Sequence, residues 1–226
     1  MPRAESRGSK SKIQNPREWG VYLVTDRHQT GGRDLLDVVG HALVAGVRAV
    51  QLREKDLPTR DLYHLAEKLL AVTRAAGAAL LINDRLDVAM ALSADGVHLT
   101  RRSLPPSECR ELLGPERLIG VSCHSLAEVR ESEDGGVDFV VLGPIFQTRS
   151  KVAYGAPLTT AALREARATT GLPILAIGGI QESHVGEVMA AGADGVAVIS
   201  AVMAARDPGQ AAAALLAAVA AARRGN

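Results

Sequence analysis

The hexapeptide AGADGV at residues 191–196 lies where a helical pattern gives way to a short apolar run. Shorter versions recur at similar junctions, as AGV at 45–47 and ADGV at 94–97. Glycine at such a joint suits the end of a helix, where a left-handed conformation is common. The repeat is weak, but it predicts that helices and strands alternate along the chain.

Eight short apolar runs follow this pattern. The predicted strands cover residues 21–25, 49–52, 79–82, 96–99, 118–121, 139–142, 174–177 and 195–199. The predicted helices cover residues 34–45, 59–76, 85–93, 107–113, 126–133, 159–169, 182–191 and 210–222. Strands that are continuously apolar indicate a parallel sheet that is buried on both faces. Eight such units predict an α/β fold, a single-domain (β/α)8 TIM barrel, with an open doubly wound sheet as the runner-up.

Composition narrows the class of protein. The net charge of the 226 residues is +1, so we expect neither a nucleic-acid nor a membrane partner. Cys109 and Cys123 lack metal-ligand spacing and no apolar signal segment is found, which predicts a reducing cytoplasm without disulfides. Residues 1–17 are polar and are predicted to be a disordered tail, leaving 18–226 as the barrel domain. A homo-oligomer is left open.

The segment QLREK at residues 51–55 directly follows a predicted strand. Side chains two residues apart in an extended segment point to the same side, so Gln51, Arg53 and Lys55 are expected to share one face. An amide, a guanidinium and an ammonium converging on one spot suit a phosphate or pyrophosphate. The alternative is a solvated strand end with ordinary surface charge.

Function in a barrel belongs at the carboxyl ends of the strands, and that rule selects further residues. Asn83 and Asp84 follow the third strand, where Asp84 could bind magnesium beside a phosphate, or the pair could simply cap the next helix. Ser122 and His124 end the fifth strand, and His124 is a candidate acid/base group.

The loop after the sixth strand contains Thr148, Ser150 and Lys151, which is typical of an anion-binding loop. Gly178 and Gly179 end the seventh strand, and Ile199 and Ser200 end the eighth. Strands seven and eight form the usual phosphate site of a barrel. Two anion sites at one mouth suggest either the joining of two phosphorylated substrates or the binding of one elongated substrate.

Together these segments resemble the thiamine-phosphate synthase and thiazole tautomerase family over about residues 21–201. The matching segments are YLVTD at 22–26, QLREK at 51–55, IND at 82–84, GVHL at 96–99, GVS at 120–122, GPIF at 143–146, IGGI at 177–180 and ADGV at 193–196. The resemblance implies a (β/α)8 barrel that couples hydroxymethylpyrimidine pyrophosphate to a thiazole phosphate, with Mg²⁺ as the cofactor.

The resemblance also implies roles for the strand-end residues. The pyrimidine pyrophosphate would be held by Gln51, Arg53, Lys55, Asn83, Ser122 and Lys151, and magnesium by Asp84. The thiazole phosphate would be held by Thr148, Ser150, Gly178, Gly179, Ile199 and Ser200. The predicted catalytic residues are Arg53, Lys55, Ser122, His124 and Lys151.

One position departs from the synthase pattern. Ser103 stands where a synthase carries its second magnesium carboxylate, and Arg101 or Arg102 is a candidate direct pyrophosphate ligand. The departure resembles the metal-free tautomerase branch, in which His124 would be the acid/base group. Because the pyrimidine half-site is retained, the synthase is the main prediction and the tautomerase the alternative. A catalytically dead, thiazole-phosphate-binding regulator is the third reading.

Overall fold

The computed structural model describes residues 15–147 and 156–225 of the chain as a closed barrel of eight parallel strands. The strands pair in sequence order, and β8 closes the barrel by pairing with β1. Their bounds are β1 Val21–Val24, β2 Ala49–Leu52, β3 Ala79–Asn83, β4 Gly96–Leu99, β5 Leu118–Cys123, β6 Phe139–Leu142, β7 Ile174–Ile177 and β8 Gly195–Val198. The predicted TIM barrel is confirmed, and the open sheet is excluded.

Helices connect the strands on the outside of the barrel. They are α1 Leu35–Val44, α2 Thr59–Ala75, α3 Leu86–Leu92, α4 Pro106–Leu113, α5 Leu126–Asp134, α6 Thr159–Thr169, α7 Glu182–Ala190, the short α8 Ser200–Met203 and the closing α9 Pro208–Gly225. Two 3-10 turns, Pro16–Glu18 and Arg27–Gln29, flank β1. No helix within 15–147 or 156–225 is long and apolar enough to cross a membrane.

Aspartates at the helix-to-strand joints, two of them in the recurring Ala-Asp-Gly segments, have a physical role at the amino-terminal end of the barrel. An aspartate that precedes one strand accepts a hydrogen bond from a backbone N–H at the start of the neighbouring strand. The pairs are Asp95 with Leu80, Asp138 with Ile119, and Asp194 with Ile174, each at 2.8 Å. The joint therefore fixes strand register at the end of the barrel opposite the predicted site.

Two apolar layers hold the barrel together. The larger layer lies between strands and helices, whereas a smaller one fills the barrel interior. The interior contains the aromatic cluster of Trp19, Tyr22 and Phe139, whose ring centroids lie 5.1–5.5 Å apart. Because Gly120 has no side chain, the Phe139 ring can occupy the space where a Cβ would lie only 2.2 Å from its Cζ.

The predicted tail overlaps the described residues at positions 15–17. Residues 1–14 lie outside the described residues, so the disorder predicted there stays a prediction. Arg17, which the prediction placed in the tail, lies in the first 3-10 turn and forms an ion pair with Asp194. Arg17 therefore contacts the barrel through a residue 177 positions away in the chain, and the predicted start of the barrel domain at residue 18 stays a prediction.

Candidate active site

Three of the residues predicted to hold the pyrimidine pyrophosphate occupy inward-facing positions of the strands. Ala49, Leu81 and Leu118 belong to the barrel interior. Counting on in steps of two reaches Gln51 on β2, Asn83 on β3 and Ser122 on β5. All three therefore project toward the barrel axis at its carboxyl end.

A chain of buried polar groups connects two of these residues. The Gln51 amide donates to the Tyr22 hydroxyl at 3.2 Å, and this hydroxyl lies 3.4 Å from Nδ1 of His98. On the far side of the ring, Nε2 of His98 lies 2.9 Å from Oγ of Ser122. The four side chains come from β1, β2, β4 and β5, so the network spans the barrel interior directly beneath the mouth.

Burial determines the protonation of this network. His98 is only 1% exposed, and burial, aided by the nearby charge of Arg53, lowers its pKa to about 3. Burial likewise raises the pKa of Tyr22, so its hydroxyl keeps its proton. At neutral pH the floor of the site is uncharged, and the nearby cation is Arg53.

The end of β2 differs from the prediction that Gln51, Arg53 and Lys55 share one face of an extended segment. The strand stops at Leu52, and Lys55 lies in a turn with an exposed side chain. The alternation therefore holds for Gln51 and Arg53 but does not extend to Lys55 as a strand pattern. The intervening Glu54 folds inward and is almost fully buried.

Glu54 ties the ends of β1 and β2 together. Its carboxylate accepts from the Thr25 hydroxyl at 2.7 Å and from the Arg27 side chain at 3.1 Å. The Arg27 backbone N–H donates to both of its oxygens. The Thr25 hydroxyl in turn accepts from the Arg53 backbone N–H at 2.9 Å. This strap fixes the backbone from which Arg53 projects.

The predicted metal residue Asp84 contacts the position that departs from the synthase pattern. Ser103 Oγ donates to Asp84 Oδ1 at 2.5 Å. Helix α3 begins after Arg85 without a side-chain capping bond, so helix capping does not account for Asp84. Asp84 has a φ of 64°, a left-handed conformation that Asp tolerates better than most residues.

Asp84 and Ser103 could hold a metal ion only together with oxygen atoms of a bound substrate. Among residues 15–147 and 156–225, no group of three or more His, Cys, Asp or Glu side chains could hold a metal. Magnesium often binds through one or two carboxylates together with substrate phosphates and water, a mode for which Asp84 offers one carboxylate. Arg101, a candidate substitute ligand, instead donates to Glu128 at 2.7 Å.

The second predicted anion site is formed by the loops after β7 and β8. Gly178 and Gly179 have φ values of 101° and 66°, in the left-handed region that glycine adopts without strain. A Cβ on Gly178 would lie 2.5 Å from Pro144 Cβ, so this loop packs tightly against the loop after β6. Ile199 is half-buried beside them, and the exposed Ser200 begins α8.

His124 lies at the mouth, directly after β5, the strand that carries Ser122. Its side chain is 44% exposed, and its Nδ1 lies 3.4 Å from the Glu128 carboxylate, which also accepts from its backbone N–H. A cysteine-histidine nucleophile pair is excluded here, because the neighbouring Cys123 is buried and burial raises its pKa to about 11.

The remaining predicted site residues, Thr148, Ser150 and Lys151, lie outside the described residues. Their roles, like those of the other site residues, stay predictions. The sequence analysis missed Tyr22, His98 and Glu54 as members of the site. Step-two counting from the interior residue Gly96 would have placed His98 inside the barrel, but nothing in the sequence indicates its hydrogen-bond partners.

Known proteins resemble this chain over almost all of the barrel. The family model for thiamine monophosphate synthase matches residues 21–202. The chain is 52% identical over 200 residues to a putative thiamine-phosphate synthase of Geobacter sulfurreducens, covering 88% of this chain and 94% of the relative. It is 46% identical over 190 residues to the thiamine-phosphate synthase of Moorella thermoacetica, covering 84% and 90%.

A solved structure agrees with these matches. The thiamine phosphate pyrophosphorylase from Pyrococcus furiosus superimposes with a TM-score of 0.83 at 35% identity, over 93% of this chain and 98% of that one. The sequence identity, the coverage and the shared barrel lead to one conclusion. The chain belongs to the thiamine monophosphate synthase family.

Proposed function

We propose that this protein is a thiamine-phosphate synthase. It joins the methylene carbon of hydroxymethylpyrimidine pyrophosphate to the ring nitrogen of a thiazole phosphate or thiazole carboxylate phosphate. Its products are thiamine phosphate and pyrophosphate, and the carboxylate leaves as CO2 when the thiazole carries one. Family membership and the names of relatives that are 46–52% identical support this reading over the other members of the fold.

One structural observation carries the proposal. Arg53, Asn83 and Asp84 lie at the ends of the adjacent strands β2 and β3, on the rim of an uncharged polar floor. A pyrophosphate is best held at such a rim, by groups that combine positive charge and hydrogen-bond donors. The uncharged pyrimidine ring can then extend toward Gln51 and Ser122 without burying a charge.

The chemistry follows from the leaving group. The bond between the pyrimidine methylene carbon and the pyrophosphate oxygen breaks, and its electron pair leaves with pyrophosphate. The lone pair of the thiazole nitrogen then forms the new carbon–nitrogen bond. Arg53 and Lys55 stabilise the departing negative charge, which is the contribution expected of fixed cations near a developing anion. No general base is required for this bond exchange.

Magnesium is part of the proposal. A bound Mg²⁺ would neutralise charge on the pyrophosphate oxygens and make it a better leaving group. Asp84 would supply the carboxylate ligand and Ser103 its hydroxyl. Because a second carboxylate is missing, we expect a higher magnesium requirement than an Asp at position 103 would give. Ser103→Asp should therefore lower the magnesium concentration for half-maximal activity, whereas the uncharged Ser103→Asn should not.

The thiazole phosphate belongs at the second site. The left-handed glycines Gly178 and Gly179 allow backbone to approach an anion closely, as expected for a phosphate loop. Its partners in our proposal are therefore two phosphorylated small molecules. The reducing cytoplasm remains the proposed compartment, supported by two free, buried cysteines, Cys109 and Cys123.

The experiment that tests the function uses purified full-length protein, both substrates and a magnesium titration. We expect pyrophosphate and thiamine phosphate to form together, and Lys55→Ala and Asp84→Asn to reduce the rate. Lys68→Ala is the matched control for Lys55→Ala, since Lys68 is also an exposed lysine and lies on α2. Unchanged activity in both site variants would overturn the residue assignments.

The tautomerase alternative rests on His124 and its contact with Glu128, an arrangement that can orient an acid/base histidine. It makes a different prediction in the same assay. A tautomerase would isomerise thiazole carboxylate phosphate without magnesium, lose that activity in His124→Ala, and retain it in Asp84→Asn. We expect none of these three results.

A further inference from the structure

The hydrogen bonds beneath the mouth of the barrel have one consistent direction. The Gln51 side-chain N–H donates to the Tyr22 oxygen at 3.2 Å. Tyr22 keeps its own proton, because burial raises the pKa of its hydroxyl. The remaining partner of this hydroxyl in the described network is His98 Nδ1 at 3.4 Å. Tyr22 therefore donates and Nδ1 accepts.

The direction at Tyr22 determines the tautomer of His98. A neutral imidazole has one N–H donor and one acceptor nitrogen. The ring is neutral because it is only 1% exposed and its two nitrogens face hydroxyl groups rather than carboxylates. With Nδ1 accepting from Tyr22, the proton resides on Nε2, which donates to Ser122 Oγ at 2.9 Å.

Packing holds the ring in this orientation. The Tyr22 ring lies 5.8 Å from the His98 ring, centroid to centroid, and the Phe139 ring lies 6.0 Å from it. Phe139 also packs edge-on against Tyr22. Close-packed interiors allow few alternative rotamers, so the two nitrogens of His98 keep their separate partners.

We propose that His98 is a positioning residue that turns the hydroxyl proton of Ser122 away from the floor and toward the pyrimidine ring of the substrate. Ser122 Oγ accepts from His98, so its own O–H donates upward, into the mouth. The partner it fits is an acceptor atom, such as an aromatic ring nitrogen. This inference rests on the proposed function for the identity of the ring. The direction of the hydrogen bonds from Gln51 to Ser122 does not depend on that function.

The geometry makes a second prediction about Ser122. His98 cannot take the serine proton, because its Nε2 already carries one. Ser122 is therefore a hydrogen-bond donor to the substrate rather than a nucleophile activated by histidine, although a serine beside a histidine otherwise suggests that pair.

The first test is nitrogen NMR of the substrate-free protein at neutral pH, with the His98 signals assigned by their loss in His98→Gln. We expect the pattern of a neutral ring protonated at Nε2. In Tyr22→Phe, which removes only the hydroxyl, we expect that preference to weaken or reverse. A ring protonated at Nδ1 in the wild-type protein would overturn the proposal, whether or not the protein is a synthase.

The second test is kinetic. Ser122→Ala and His98→Leu should each reduce kcat/KM for the pyrimidine substrate by about tenfold, which is what one ordinary hydrogen bond contributes. The double variant should lose little more than either single one, because both remove the same interaction. His98→Gln, which can keep an N–H near the Nε2 position, should recover part of the activity.

The control for that measurement is the KM for thiazole phosphate, which these variants should leave unchanged. Fully additive losses would contradict a positioning role, as would equal loss in His98→Gln and His98→Leu with intact folding. If no variant or wild-type protein forms thiamine phosphate, the proposed function fails. The NMR result then decides independently which nitrogen of His98 carries the proton, and with it the direction of the hydrogen bonds.

Discussion

Replacing Glu54 with Gln tests whether the strap between β1 and β2 holds the site. Glu54 receives donors on both carboxylate oxygens, and its side chain is 1% exposed. A glutamine offers one acceptor oxygen, and its NH2 group must face a donor. One buried donor without a partner costs about 1–3 kcal/mol.

The loss of charge adds to this cost, because Arg27 loses one of its two carboxylate partners. Arg27 keeps Asp56, to which it donates through both terminal nitrogens at 2.6 Å. The expected loss is therefore about 2–3 kcal/mol, below the 3–5 kcal/mol for a buried charge left without any partner. For a chain of this size, that corresponds to a fall in Tm of roughly 4–12 °C.

The assay is thermal unfolding, together with the KM for the pyrimidine pyrophosphate. Because Thr25 bridges Glu54 and the Arg53 backbone, the KM should rise as Tm falls. Asp56→Asn is the matched control: Asp56 binds the same arginine, but its side chain is 55% exposed. We expect a clearly smaller effect there. A change below 2 °C in Glu54→Gln, or equal effects in the two variants, would refute the reasoning.

Three further predictions concern the interior and the phosphate loop. Gly120→Ala should destabilise the protein by about 1–3 kcal/mol or more, because the new Cβ would overlap the Phe139 ring. Gly40→Ala, in open space on α1, should instead stabilise it by roughly 0.5–1 kcal/mol, and urea unfolding of the two variants measures both changes. The lowered pKa of His98 means that the unfolded state binds its proton first as pH falls. Stability should therefore decline below pH 6.5 by up to ~1.4 kcal/mol per pH unit from this group, and His98→Gln should lack that part of the slope. Gly179→Ala should raise the KM for thiazole phosphate, since its φ is 66° and a Cβ would lie 2.8 Å from a backbone oxygen; an unchanged KM would remove this loop from the phosphate site.

The barrel could be predicted from sequence because its signals are local. Each strand is a short apolar run, and side-chain direction within a strand alternates with a period of two. That rule predicts a shared face for Gln51 and Arg53, and the strand-end rule selects Asn83 and Ser122, which lie at the carboxyl ends of β3 and β5. The period-two rule failed at Lys55, where the strand had already ended in a turn. The alternation of residue types can run on beyond the last residue of a strand, so it does not show where the strand ends.

The floor of the site could not be predicted, because its partners are distant in sequence. Tyr22 and His98 are separated by 76 residues, and only closure of the barrel brings them together. Burial of Glu54 was also hidden, since a charged residue in a charged segment is usually exposed. The strap with Thr25 and Arg27 explains the exception, and the joint aspartates such as Asp95 have the same kind of long-range partner.

The measurement that tests the central claim most directly is the stoichiometry of the reaction with both substrates and magnesium. Thiamine phosphate and pyrophosphate should appear in a 1:1 ratio, and omission of the thiazole phosphate should abolish the first product. Isomerisation of thiazole carboxylate phosphate without release of pyrophosphate, at any magnesium concentration, would contradict the assignment of this chain as a synthase.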